Sequence, residues 1–185
     1  MTIFNSTQKN VFHYITIVAF RRTPIFKSEI ACQILIDVIT ETRKTQKYKL
    51  IAYVIMPDHV HLIVNPAGCD ISAVCKSIKG ISSRRILDWL RTEGHHLSLK
   101  KLELSVAQKR NHTHAVWQKG VTSIDLWSPK FILQKSGYIH MNPVRAGLSD
   151  HPAKWRWSSY GTLNGDENAP IKMDRVPLWN EADFE

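Results

Sequence analysis

"KLIAYVIMPDHVHLIVNP", residues 49–66, decides how this chain folds. Residues 49–56 form a run rich in β-branched and aromatic types, Pro57 and Asp58 are turn formers, and "HVHLIVNP" is a second such run. Two runs of this kind joined by a two-residue turn read as a β-hairpin. Residues two apart on a strand share a face. His59, His61 and Ile63 therefore point one way, and Val60, Leu62 and Val64 the other. The three aliphatic side chains belong to a core under helices, which leaves both imidazoles on the open side of the sheet. Two neutral imidazoles side by side on a rigid strand suit a divalent cation.

Upstream, "VFHYITIVAF" (11–20) reads as a strand ended by "RRTP". Ser28 caps a helix over 29–47 whose Ile30, Ile34, Leu35, Val38 and Ile39 recur at helical spacing. Downstream, Asp70 caps a second helix that runs to Trp89 with Ile71, Val74, Ile78, Ile81 and Ile86 as its apolar stripe. The polar segment 91–114 reads as a loop, and "HAVWQKGV" (114–121) as a short fourth strand. Ser128 followed by Pro129 starts a third helix, expected to end at about Asn142 because Pro143 follows. The order β-α-β-β-α-β is the ferredoxin-like arrangement of the α+β class, with both helices on one sheet face. The helix at 129–142 is then free to lie against the other face. A length of 185 residues suits one domain. Its core is expected over about 11–160, with a C-terminal tail at 161–185.

A hydrophobic fraction of 43% excludes a disordered chain. Lys and Arg outnumber Asp and Glu by 25 to 16, for a formal charge of +9 and an isoelectric point near 9.6. That excess favours a polyanionic partner, with nucleic acid ahead of a membrane because no basic amphipathic helix stands beside a lipid anchor. Cys32, Cys69 and Cys75 show no CxxC spacing, so neither a disulfide framework nor a zinc ribbon is indicated. No apolar run approaches the roughly 18 residues of a membrane span, and no signal-peptide core precedes the first strand. The expected location is cytoplasmic.

An HxH pair taken alone carries little weight, and His112-Thr113-His114 repeats the spacing in a polar run. "SGYIHMNPVRAGL" (136–148) changes its weight. Tyr138 and Asn142 are four apart and share a helix face, with the carboxamide beside a helix end. A metal held by His59, His61 and the Asn142 side-chain oxygen keeps open positions for phosphate oxygens and polarises a phosphodiester. Tyr138, with an unperturbed pKa of about 10, would attack in line when positioned near a cation. A buried tyrosine and an ordinary helix-ending Asn-Pro remain the alternative for these two residues.

"MPDHVHLIV", followed at long range by "YIHMNPVRAGL" and then "WRWSSY", resembles the single-tyrosine (Y1) HUH transposases, closest to their REP-associated branch, over roughly residues 11–160. The resemblance implies that His59 and His61 are metal ligands, Tyr138 the nucleophile and Asn142 the third ligand. It implies cleavage of single-stranded DNA beside a hairpin through a 5′-phosphotyrosine link that leaves a free 3′-OH. Mg²⁺ or Mn²⁺ is the expected ion, since phosphoryl transfer favours them, although imidazoles also accept Zn²⁺. A homodimer is compatible with the resemblance, and an active site shared between subunits follows if the tyrosine helix crosses over. Two rivals stand beside this reading. One is a domesticated hairpin binder that no longer cuts, and the other a metal phosphodiesterase that activates water.

Weaker signals complete the sequence. Lys76, Lys79, Arg84 and Arg85 can track a DNA backbone or line a solvated helix face. Lys100, Lys101, Lys109 and Arg110 form a second basic group. Arg145 stands within reach of a phosphate, unless "VRAGL" is a capping turn around Gly147. Trp117, Trp155 and Trp157 suit core packing better than base stacking. Asp58 either orients a neighbouring imidazole or simply makes the turn.

Overall fold

The computed structural model describes residues 11–66, 68, 70–109, 112–166 and 169–174. Cys69 and Arg110, and residues 175–185 of the expected tail, lie outside the described residues.

The hairpin of the opening stretch forms as its alternation dictates. β2 (Lys49–Met56) and β3 (His59–Asn65) pair antiparallel, with Pro57 and Asp58 as the turn. β1 (Phe12–Val18) pairs antiparallel with β3 on one side and with β4 (Thr122–Leu126) on the other, giving the sheet order β2-β3-β1-β4. With α1 (Glu29–Gln46) between β1 and β2, and α2 (Ile71–Thr92) between β3 and β4, this is the ferredoxin-like α+β order.

Both helices start where their caps predict. Ser28 Oγ accepts from Ala31 N at 3.3 Å, and Asp70 Oδ1 from Ala73 N at 2.9 Å. They pack against each other over one sheet face. Ile15, Ile17, Val60, Leu62 and Val64 from the strands meet Leu35, Ile36, Ile39, Val74 and Ile78 from the helices there. Each fully buried side chain of this kind contributes roughly 1.5–3 kcal/mol. Ile30, expected in the α1 stripe, instead lies exposed in the first turn, while Ile36 takes a buried place. Cys32 and Cys75 are buried free thiols in the same layer, each pushed up to about 12, chiefly by burial.

The second face is covered by α4 (Pro129–Arg145), which packs on β2 and β3 of its own chain. Its Ile132 and Ile139 meet Phe12, Tyr14, Val54, Ile63 and Leu126. The helix was expected to stop near Asn142, but it continues through Pro143 to Arg145. Proline removes one donor and crowds one carbonyl, yet Ala146 N still reaches Asn142 O at 3.0 Å beyond it. The helix then ends in a Schellman turn. Leu148 N bonds Pro143 O, Gly147 N bonds Val144 O, and Gly147 supplies the left-handed φ of 67°.

Two further expectations change. The fourth strand is Thr122–Leu126, not 114–121, where Trp117 makes only an isolated bridge to Ala19. Val116 and Trp117 are apolar because their side chains enter the core, without a ladder of their own. The polar segment 91–114 is not all loop. It holds α3 (His96–Leu102), whose buried Leu102 anchors it to the core. Beyond α4, residues 155–159 run antiparallel along the outer edge of β2. Ile55 N donates to Trp157 O at 2.8 Å and Ser159 N to Tyr53 O at 2.9 Å.

Candidate active site

His59 and His61 stand on the face of β3 that α4 only partly covers, with ring centroids 4.7 Å apart. The partner strand supplies what holds them. In the β1–β3 register Thr16 lies opposite His61 and Val18 opposite His59, and Tyr14 shares their face one step further. Tyr14 Oη and Thr16 Oγ1 each lie 2.8 Å from His61 Nδ1. Asp58 Oδ1 lies 2.6 Å from His59 Nδ1. With each Nδ1–H donating to these oxygens, both Nε2 lone pairs are left for a cation, the arrangement typical of metal-ligating histidines.

Electrostatics agree with that arrangement. His61 is pulled down to about 3, first by burial and then by the neighbouring His59 and Lys135 charges, against an opposing pull from Asp58. It is therefore neutral near pH 7, as a ligand must be. Burial pushes Asp58 up, but its hydrogen bonds to His59 and Arg22 outweigh this and hold its carboxyl below the usual range. Arg22 NH1 meets Asp58 Oδ2 at 2.9 Å. Arg21 and Arg22 both adopt left-handed backbone, φ 52°. Such residues cost about 1–3 kcal/mol each and persist where surrounding contacts over-determine them. Here the turn is pinned by Ala19 N on Asp58 O (2.8 Å) and Phe26 N on Pro57 O (3.0 Å).

α4 lays Tyr138 across this face. Its ring centroid is 6.1 Å from that of His61 and 6.3 Å from that of Tyr14. Two tyrosines thus flank one imidazole, and exposure separates them. Tyr138 is 40% accessible, whereas Tyr14 is 6%. Burial pushes the Tyr14 phenol up to about 12. Of the two phenols, Tyr138 is the one open to solvent. Asn142 sits one turn further along α4 and donates its Nδ2 to Tyr138 O at 2.9 Å, which leaves Oδ1 as the atom for a cation. Among the described residues no group of three or more His, Cys, Asp or Glu side chains could hold a metal. The set available here is two imidazoles and a carboxamide.

The remaining candidates divide. Arg145 lies over the Tyr138 ring at 4.9 Å, and the Gly147 capping turn is present as well. Lys79 is half-buried and donates to Gln118 O and Gly120 O at 2.8 and 2.9 Å, and Arg85 forks onto Glu41 at 2.8 and 2.7 Å. Lys76 and Arg84 are exposed, on a helix packed against the sheet face opposite the histidines. Lys109 pairs with Glu103, and Lys100 and Lys101 are exposed on α3. Trp117 Nε1 donates to Ser82 Oγ and Trp155 Nε1 to Ile55 O, while Trp157 packs against the core, as the packing alternative holds.

Sequence reasoning passed over Tyr14, Thr16, Lys135 and Trp127. The first two come to the site through strand register, which period-two alternation alone does not reveal. Lys135 was legible, being three residues before Tyr138 on one helix. Trp127 was also legible, as an indole just before a cap, and it is 69% exposed. An open cleft of about 340 Å³ is lined by Thr16, Val18, Lys119, Gly120 and Thr122 among others, and Thr16 is its link to His61.

The family model for IS200-like transposases matches residues 6–145. The chain belongs to that family. The fold is similar to that of a REP-associated tyrosine transposase solved with a REP hairpin, with a TM-score of 0.64, 19% identity, and 97% of this chain and 98% of that one covered. A Deinococcus radiodurans R1 protein assigned as a transposase aligns at TM-score 0.47 and 21% identity, over 75% of this chain and 95% of that one. No curated protein matches the sequence. No helix among the described residues of this IS200-like chain is long and apolar enough to cross a membrane.

Proposed function

We propose that this chain, acting as one Y1 domain, is a metal-dependent single-stranded DNA endonuclease and strand transferase working at hairpin-flanked sites. The observation that carries the proposal is the placement of the exposed Tyr138 ring 6.1 Å from His61, on the helix and sheet of one chain. His59, His61 and Asn142 are the residues that would hold Mg²⁺ or Mn²⁺. When bound, such an ion supplies polarisation of the scissile phosphate and charge neutralisation at the leaving oxygen.

The chain's own residues do the rest. Tyr14, Thr16 and Asp58 hold the two imidazoles in the tautomers that present Nε2. Tyr138 Oη attacks phosphorus, the bond from phosphorus to the 3′ oxygen breaks, and the phenol proton passes to solvent while the 3′ oxygen takes one up. The product is a 5′-phosphotyrosine and a free 3′-OH, which keeps the bond energy for rejoining. Arg145, over the Tyr138 ring, would hold a flanking phosphate, and the exposed indole of Trp127 offers a stacking face for an unpaired base. The cleft beside Thr16 and Thr122 has room for a nucleotide next to the scissile bond. The hairpin partner is supported by the bound REP hairpin of the structurally similar protein.

The test is a denaturing gel of the protein with labelled hairpin oligonucleotides from the DNA flanking its coding region, with Mg²⁺, Mn²⁺ or EDTA. A heat-stable adduct that needs the ion and vanishes in Tyr138→Phe is expected. Tight binding with no adduct would favour the non-cutting hairpin binder. Cutting that survives Tyr138→Phe would favour water as the nucleophile.

A further inference from the structure

Beside Tyr138 sits a cation that the mechanism above does not use. Lys135 lies just under one turn before it on α4, and its Nζ is 5.3 Å from the Tyr14 ring centroid and 5.6 Å from those of Tyr138 and Phe131. It is half-buried, and its charge is felt at His61. An ammonium carries three N–H donors, and burying them without acceptors is unfavourable. Ring faces attract the charge but take none of those donors in ordinary hydrogen bonds. Lys79, also half-buried, shows the usual solution, since it donates to two backbone carbonyls. Among the described residues Lys135 has no hydrogen-bond acceptor and no carboxylate partner. A cation among three aromatic rings, without a carboxylate partner and close to an exposed phenol and the His61 imidazole, is suited to meet an anionic oxygen.

We infer that Lys135 is a catalytic residue of strand cleavage, donating to a non-bridging oxygen of the scissile phosphate while Tyr138 attacks. The inference rests on the function proposed above. Lys135 transfers no proton in this step. Oη–P forms and P–O3′ breaks as before, and Lys135 meets the charge that gathers on the phosphoryl oxygens at the five-coordinate stage. A donor preorganised for that charge accelerates the step more than it tightens ground-state binding. Lysine suits the role as a compact point charge. Arg145, on the same ring but exposed beside the helix end, suits a flanking phosphate instead.

The experiment measures two quantities on the full chain, with the hairpin oligonucleotide and Mn²⁺. One is the single-turnover rate of adduct formation and the other the equilibrium affinity for the same DNA, in wild type, Lys135→Met, Lys135→Gln and Lys135→Arg. Both neutral variants are expected to form adduct about 10²–10³-fold more slowly, with affinity within about twofold of wild type. Lys135→Arg should recover most of the rate. Thermal melting identifies a variant that fails to fold, and either neutral variant suffices for the comparison. Wild-type rates in a folded neutral variant would overturn the inference. So would a loss of affinity that accounts for the whole defect, because Lys135 would then be a DNA-holding residue only. Absence of adduct in the wild type would defeat the proposed function and this inference together, whereas wild-type adduct indifferent to Lys135 would defeat the inference alone.

Discussion

Under α1 and α2 the central strands present Ile15, Ile17, Val60, Leu62 and Val64, whereas on the opposite face the same strands present Tyr14, Thr16, His59 and His61. The aliphatic face is closed by two long helices packed on each other. The other is covered by one helix, apolar around Ile63, Ile132 and Ile139 and polar beyond them. Because a strand alternates at every residue, stability and chemistry occupy adjacent positions of the same segment without competing. The aliphatic side pays for the ordering of a face that carries two imidazoles and their hydroxyl and carboxylate partners.

That contrast predicts that activity and stability separate by face. Tyr138→Phe is expected to abolish the covalent adduct entirely, with a melting temperature close to wild type, as read on a denaturing gel and by calorimetry. Leu62→Ala, on the other face, should cost about 2–5 kcal/mol in urea unfolding, yet its folded fraction should still form adduct at the wild-type rate. A stable but inactive Leu62→Ala would break the comparison.

Within the polar half, Tyr14→Phe combined with Thr16→Val strips both hydroxyls from His61 Nδ1. The expected result is about a 10–100-fold higher Mn²⁺ concentration for half-maximal adduct formation.

Acid should act through the buried imidazoles of the α4 side. His61, drawn down to about 3, and His140, drawn down to about 4 by burial, are both neutral in the folded chain at pH 7. The unfolded chain takes up protons first. Their contribution to stability is therefore complete above pH 6.5 and is lost as pH falls toward 4 and then 3. For His140 the loss by pH 4.5 is on the order of 2 kcal/mol. His140→Leu should make the fall of the urea midpoint between pH 7 and 4.5 shallower, with the share of His61 remaining, whereas an unchanged slope would locate acid sensitivity elsewhere.

The smallest effect is expected on the back of the molecule. Lys76→Ala with Arg84→Ala should leave the salt slope of hairpin binding unchanged. A drop of about one per residue would instead mean that DNA reaches round to α2.

Much of this division was readable in advance. The hairpin at 49–65, the caps at Ser28, Asp70 and Ser128, and the opposed sets His59/His61 and Val60/Leu62/Val64 are local patterns, and local patterns survive folding. The errors share a cause. "HAVWQKGV" has a strand's composition because Val116 and Trp117 are core anchors, while the true edge strand, with Ser123 and Asp125, looks too polar. Pro143 predicts a helix end by local rules, yet a helix with a Schellman turn beyond it tolerates the missing donor. The basic group on α2 reads from sequence as either a DNA-tracking set or a solvated helix face, and neither reading reveals the protein partners that Lys79 and Arg85 find far away in sequence.

Element type, strand alternation and the shared helix face of Tyr138 and Asn142 follow from side-chain periods of two and about 3.6 residues, so the chain carries them locally. Three things had to wait for the fold. Tyr14 and Thr16 reach His61 only through the β1–β3 register, Asp58 is braced by Arg22 across 36 residues, and Tyr138 meets His61 of its own chain only because α4 docks on β2 and β3. Each depends on long-range pairing, whose energy lies in the assembled interface and leaves no periodic mark in any one segment.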